Sequence, residues 1–267
     1  MPALSWEELQ EITALAAGQG FKQKRFNFFV ETGTGLGSTC LPLSEHFDEV
    51  HTIELKKEFH EVARSRAWRF RKPVHFYCGP SEEVLPDLLT RLRGPSVIFL
   101  DAHYSGEDTG RGEVDVPLLQ ELRWVSTRFP HAALVIIDDL RLFGRGGAKG
   151  DLDVDWSMIS HEAVRDCLHP DRIACSFALE AQDRYVFGLR AGVRPMPELG
   201  TAAGARAGAA GRVLPAISTP GEMDMEALGA LFEADTEFAQ LARTESSAYS
   251  LGPRHGLAAP GVIQVLS

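Results

Sequence analysis

Cysteine is scarce in this 267-residue sequence: Cys40, Cys78, Cys167 and Cys175 are all there is, with no C-x-x-C pair and no zinc-ligand rhythm. That excludes a disulfide-stapled scaffold, and the four read as reduced core thiols in a cytoplasm. No run of 18 apolar residues crosses the chain and no secretory h-region opens it, so a soluble protein that stays inside is expected. Positive charge is in deficit as well, with 27 Lys and Arg against 37 Asp and Glu, a net charge of −10. A nucleic-acid surface needs a basic patch or stripe, and an anionic membrane repels an acidic protein, so neither is expected as a partner. A small-molecule acceptor fits this balance, with homodimer formation left open. Internal repeats are absent too.

What is present is centred on Phe28 to Cys40. Three apolar residues, of the kind a strand buried on both faces requires, break into glycines at every second position, Gly33, Gly35 and Gly37. The pattern predicts strand, tight turn and helix, with the helix running from Ser38 to His46. Bare backbone at a strand's carboxyl end lets a ligand lie against it, and the helix start offers unpaired N–H groups. A nucleotide cofactor is the expected occupant. The dinucleotide fingerprint wants a glycine where Ser38 stands. Glu31, two residues before Gly33, suits a ligand with a cationic amino group better than a pyrophosphate. The run Glu31-Thr32-Gly33-Thr34-Gly35-Leu36-Gly37 resembles the first motif of the class I S-adenosylmethionine-dependent methyltransferases.

A second acid has a matching place. Glu49 to Leu55 reads as the next strand and ends on Glu54, seventeen residues beyond Gly37, where a carboxylate can accept hydrogen bonds from the vicinal hydroxyls of a ribose. The alternative is a surface Glu at a strand end. Lys57 to Phe70 then has Phe59, Val62, Ala63, Ala67 and Phe70 on one helical face. Val74 to Tyr77 is a third strand, and Cys78-Gly79-Pro80-Ser81 turns it into a helix with Leu85, Leu88, Leu89 and Leu92 inward. The resemblance implies that this turn closes over the adenine, with Gly79 and Ser81 as contacts. Ser96 to Leu100 is the fourth strand and Ala133 to Ile137 the fifth. Strands alternating with helices at regular intervals imply a parallel, doubly wound α/β sheet with ligands at the carboxyl strand ends.

Between these strands, 107–115 and 144–155 read as loops, Asp115 as the cap of a helix with Leu118, Leu122 and Val125 inward, and 157–168 as a further helix. Ile173 to Glu180 and Arg184 to Arg190 form an antiparallel hairpin that closes the sheet. Seven strands ending in a hairpin are what the class I methyltransferase fold adds to a Rossmann-like start, mostly parallel with the last strand antiparallel. The expected organisation is an N-terminal helix within 1–26, opened by the Ser5-x-x-Glu8 capping box, a catalytic domain over 27–191, and an Ala, Gly and Pro-rich tail over 192–267 with one helix at 220–243. The leading helix either covers a substrate pocket or patches the sheet.

Three acids converge in this scheme, Asp101 after the fourth strand and Asp138-Asp139 after the fifth. Carboxylates at one point repel unless a cation separates them, and a divalent ion such as Mg²⁺ would do so. The same placement occurs in metal-dependent catechol-type and sugar or macrolide O-methyltransferases and cephalosporin-hydroxylase-like relatives, which the sequence resembles at these positions. Without metal, Asp101 would hold the methionine amino group of the cofactor and Asp138-Asp139 would cap the next turn. His103, two residues after Asp101, either is structural or takes a hydroxyl's proton as the methyl arrives. The activity this implies is transfer of a methyl from S-adenosylmethionine to a hydroxyl of a small molecule such as a sugar diol or polyketide glycoside. A nicotinamide oxidoreductase shares the first two motifs, and an enzyme transferring another part of S-adenosylmethionine, or cyclising it, shares all of them.

Overall fold

Ser96–Leu100 (β4) and Ala133–Ile137 (β5) carry apolar side chains on successive positions, so both faces need cover, and every residue of the two strands is buried. They stand at the centre of a seven-stranded sheet that also contains Phe28–Thr32 (β1), Glu49–Glu54 (β2), Val74–Cys78 (β3), Ile173–Leu179 (β6) and Arg184–Leu189 (β7). The structure is a computed structural model that describes residues 3–103, 110, 112, 114–146 and 154–192. Strand order is β3-β2-β1-β4-β5-β7-β6, with β1 to β5 mutually parallel and β7 antiparallel to both of its neighbours. The expected mixed α/β sheet and its closing hairpin are therefore present. Order reverses between β1 and β4, so their carboxyl ends flank a crevice where an open α/β sheet receives ligands.

Alternation along the strands divides the core into two layers. Val30, Ile98, Leu100, Val135 and Ile137 face Leu85, Leu88 and Leu89 of α4 (Ser81–Arg91) and Leu122 and Val125 of α5 (Leu118–Arg128). Phe29, Val50, Val97, Phe99, Leu134 and Ile136 face the other way, against Leu9, Ile12 and Ala16 of α1 (Trp6–Gly18) and Cys40, Leu41 and Leu43 of α2 (Cys40–Leu43). The Ser5 hydroxyl accepts from the Glu8 N–H at 3.1 Å, as the capping box requires. The leading helix thus covers the sheet.

Several boundaries differ from the sequence reading for local reasons. The first crossover is helical only over α2 and continues as a 3-10 turn at Ser44–His46, where the Ser44 hydroxyl donates to the Leu41 carbonyl at 2.6 Å and competes with the helical ladder. The helix after β2 ends earlier, at Lys57–Arg66 (α3), and buries His60 beside Ala63. Asp115 is not the cap of α5: Pro117 holds that position without a side-chain bond, because a residue before proline is kept out of helical geometry. The helix expected over 157–168 is reduced to His161–Asp166 (α6), capped by the Ser160 hydroxyl on the Ala163 N–H at 3.0 Å. Cys40, Cys167 and Cys175 are core thiols, but Cys78 ends the edge strand β3 and is exposed. The tail and its helix at 220–243 lie outside the described residues, as do most of 104–113 and 147–153. No described helix is long and apolar enough to cross a membrane.

Candidate functional site

The chain leaves β1 through a turn in which Gly33 and Gly35 have φ of +84° and +52°, the left-handed region that glycine enters without steric cost. At Gly33 the reason is close approach, since a Cβ there would stand 2.3 Å from the Asp101 carbonyl oxygen. At Gly35 nothing lies within 4 Å of that position, so the turn presents open backbone. Its N–H donates to Glu54 Oε2 at 2.8 Å, and the Lys56 N–H donates to Glu54 Oε1 at 2.8 Å. Burial raises the Glu54 carboxyl, while these backbone N–H groups oppose the rise. One carboxylate therefore ties the end of β2 to the turn after β1.

A cleft of about 190 Å³ opens over this turn. Of the sequence candidates, Gly33, Gly35, Glu54, Gly79, Ser81, Asp101 and His103 line it, together with Phe59, Val114, Asp115 and Pro117. Glu31, Thr32, Gly37, Ser38, Asp138 and Asp139 are not in that lining. Ser38 precedes a helix of a single turn, which presents no extended row of free N–H groups. Gly37 donates its N–H to the Thr34 carbonyl at 2.9 Å, inside the turn. Glu31 is buried and accepts from the Thr52 hydroxyl at 2.6 Å. Burial pushes its carboxyl up to about 8, against the hydrogen bonds of Thr52 and Cys40, so at neutral pH it is an uncharged prop beneath the turn. Thr32, also buried, bridges β1 to β4 by accepting the Asp101 N–H on its carbonyl at 3.1 Å.

The acids after β4 and β5 are divided among His103, Arg141 and Arg184. His103 Nε2 lies 2.6 Å from Asp139 Oδ2, and its Nδ1 lies 3.5 Å from Asp101 Oδ1. Trp156 packs edge-on to the imidazole with centroids 5.2 Å apart. Asp139 has a left-handed φ of +61°, an unusual conformation for a residue with a side chain. It faces His103 and Arg141, while Asp138 faces Arg184. Burial pushes Asp138 up to about 6 against the pull of Arg184. Asp139 is pushed up by burial too, but the His103 hydrogen bond and charge and the Arg141 guanidinium outweigh it and hold the carboxyl below its ordinary value. Burial, followed by Asp138, Asp139 and Glu31, raises Asp101 well above its ordinary value.

Two groups of ligating atoms lie within 4.8 Å here, Asp101 with His103 and Asp139, and Asp138 with Asp139 and Asp183. Asp101 and Asp138 do not fall together in either. The sequence reading missed Arg184, whose side chain is 1% exposed and which stands ahead of the buried run Tyr185–Leu189. A lone cation heading an otherwise apolar strand was the available signal. It also missed Glu121, on the same helical stripe as Leu118 and Val125. Burial pushes that carboxyl up to about 7, against the pull of the Ser81 and Thr32 hydroxyls.

A doubly wound sheet with a glycine turn, an acid at the end of β2 and a polar cluster beyond β4 and β5 has the form that the resemblance to class I methyltransferases implies. Among solved structures, the chain is similar to an O-methyltransferase from Bacillus cereus in complex with SAH, at 15% identity over 71% of this chain and 83% of that chain, with a TM-score of 0.46. It is similar to the O-methyltransferase TomG from Streptomyces achromogenes, involved in tomaymycin synthesis and in complex with SAM, at 19% identity over 72% and 82% of the two chains, TM-score 0.44. A putative caffeoyl-CoA O-methyltransferase from Staphylococcus aureus matches at 17% identity over 71% and 85%, TM-score 0.47. No family model matches the chain, and no curated protein does.

Proposed function

We propose that the chain is an S-adenosylmethionine-dependent methyltransferase acting on a hydroxyl of a small molecule. The observation that carries this reading is that the glycine turn with Glu54 and the Asp101–His103 pair line one cleft. Glu54 accepts the ribose hydroxyls on the oxygen lone pairs its two backbone bonds leave over. Gly79 and Ser81 border the adenine. Asp101, which lines the cleft where Glu31 does not, receives the cationic amino group in place of Glu31, and that charge favours its ionised form. His103 is held between two carboxylates, and its Nδ1 takes the acceptor's proton as oxygen attacks the sulfonium methyl. The donor is already activated, so alignment and exclusion of water supply the rest.

A second reading has Asp101, His103 and Asp139 hold a divalent ion, in place of the set Asp101, Asp138 and Asp139, with Asp101 and His103 then ligating instead of taking the amino group and the proton. Asp139 Oδ2 is buried with His103 Nε2 2.6 Å away, so two of the three ligand atoms already adjoin. Asp138 is already balanced by Arg184. The imidazole moves the preference from Mg²⁺ toward Mn²⁺ or a softer ion. Bound there, the ion would lower the pKa of an acceptor hydroxyl.

Calorimetric binding of S-adenosylhomocysteine, with NADH as the comparison, tests the cofactor. Tighter binding of NADH would replace this reading by a nicotinamide oxidoreductase. Asp139→Asn should keep S-adenosylhomocysteine and lose turnover, and EDTA should reproduce that loss. Full turnover after exhaustive chelation would remove the ion and leave His103 as the base.

A further inference from the structure

At the other end of the sheet from the cleft, one face of its edge carries a second polar cluster. Glu49 and His51 are two apart on β2 and so share a face, and His75 of the edge strand β3 pairs with His51 in register. The rings stack with centroids 4.7 Å apart. Glu49 Oε2 lies 3.5 Å from His51 Nε2 and 3.2 Å from His75 Nε2. Both of those nitrogens are buried and make no hydrogen bond among the described residues. His51 is only 7% exposed, so leaving its polar atom unmatched is costly unless something else meets it. His51 Nδ1 is 3.1 Å from the Tyr77 hydroxyl, which stands two residues beyond His75 on the same face.

We propose that Glu49, His51 and His75 bind a zinc-type divalent cation, with His51 and His75 ligating through Nε2. Tetrahedral coordination with bonds of about 2.0–2.1 Å places ligand atoms about 3.3–3.4 Å apart, which the two Glu49 distances bracket. Ligation needs neutral imidazoles, and burial followed by His75 lowers His51 to about 3, which keeps it neutral. Tyr77 supplies the outer hydrogen bond that orients a ligating ring. Side-chain exposure rises from 8% at His51 through 22% at His75 to 44% at Glu49, giving the ion a path in and leaving its fourth position toward solvent. His51 stands three residues before Glu54, about 10 Å along the strand, so this site is separate from the cleft. The ion would clamp the edge strand that delivers Gly79 and Ser81 to the cleft.

The test is zinc titration of the full-length, metal-stripped chain by calorimetry, with melting followed in parallel. In the Asp139→Asn chain, which lacks the ligand set beside the cleft, one equivalent should bind and raise the melting temperature. Tyr77→Phe should weaken binding about 10- to 100-fold, and His75→Ala and Glu49→Gln by more than that. Should His75→Ala fail to fold, Glu49→Gln and Tyr77→Phe carry the same comparison from more conservative changes. No uptake by the unaltered chain, or equal affinity in these variants, would overturn the site and leave two imidazoles facing a carboxylate.

Discussion

Replacing Gly33 by alanine tests whether the glycine turn is built for backbone approach or only for turning. The new Cβ would lie 2.3 Å from the Asp101 carbonyl oxygen and 2.7 Å from its carbon. Ordinary contact is about 3.5 Å, so the ends of β1 and β4 must separate by about 1 Å. Forcing a side chain into the left-handed region costs about 1–2 kcal/mol, and overpacking adds about 1–3 kcal/mol. The loss should therefore be about 2–5 kcal/mol, or about 4–20 °C in melting temperature for a domain of this size. Gly35→Ala is the control, because it meets the same backbone strain with nothing within 4 Å. It should lose about 2–8 °C. Thermal unfolding by circular dichroism gives the stabilities, and calorimetry with S-adenosylhomocysteine gives the affinities. Gly33→Ala should also weaken binding by displacing Asp101. A Gly33→Ala protein that melts no lower than Gly35→Ala would refute the close-approach argument.

Three other outcomes follow from the same geometry. Arg184→Ala leaves Asp138 buried without its cation and should cost about 3–5 kcal/mol in chemical denaturation, whereas a loss under about 1 kcal/mol would show that water reaches the acid. Glu31 is raised from 4.5 to about 8, so the folded chain keeps a proton that the unfolded chain has lost between those values. Its contribution to apo stability is full below pH 4.5 and falls as pH rises to 8; Glu31→Gln should flatten that slope, and an unchanged slope would place the titration elsewhere. A chain ended after Gly192, whose N–H still donates to the Pro130 carbonyl at 2.8 Å, should keep the melting temperature and the S-adenosylhomocysteine affinity. Loss of either would make the tail part of the domain.

Central strands were legible because their signal is local. A run such as Ala133–Ile137 has no polar face to expose, and only burial on both sides accommodates it. Helix ends were less legible. Asp115 is a plausible cap in one dimension, and only the proline at 117, which keeps Val116 out of helical geometry, moves the start of α5 past it. The side-chain pairing of the acids was not legible at all. Asp138 and Asp139 look equivalent in sequence, but the left-handed backbone at Asp139 turns one toward Arg184 and the other toward His103.

The order of strands and glycines by itself determined a doubly wound sheet, a turn after the first strand and an acid at the end of the second, because periodicity and backbone freedom act over neighbouring residues. Which acids face the cleft was decided only by tertiary structure. Glu31 and Glu54 both stand near a strand end, yet Glu31 is sealed under the turn with its proton while Glu54 lines the cleft. The same holds for the cations: Arg184 comes from a strand 46 residues beyond Asp138 and meets it only because β7 inserts beside β5. Charge compensation in a core depends on distances between segments that no local pattern encodes.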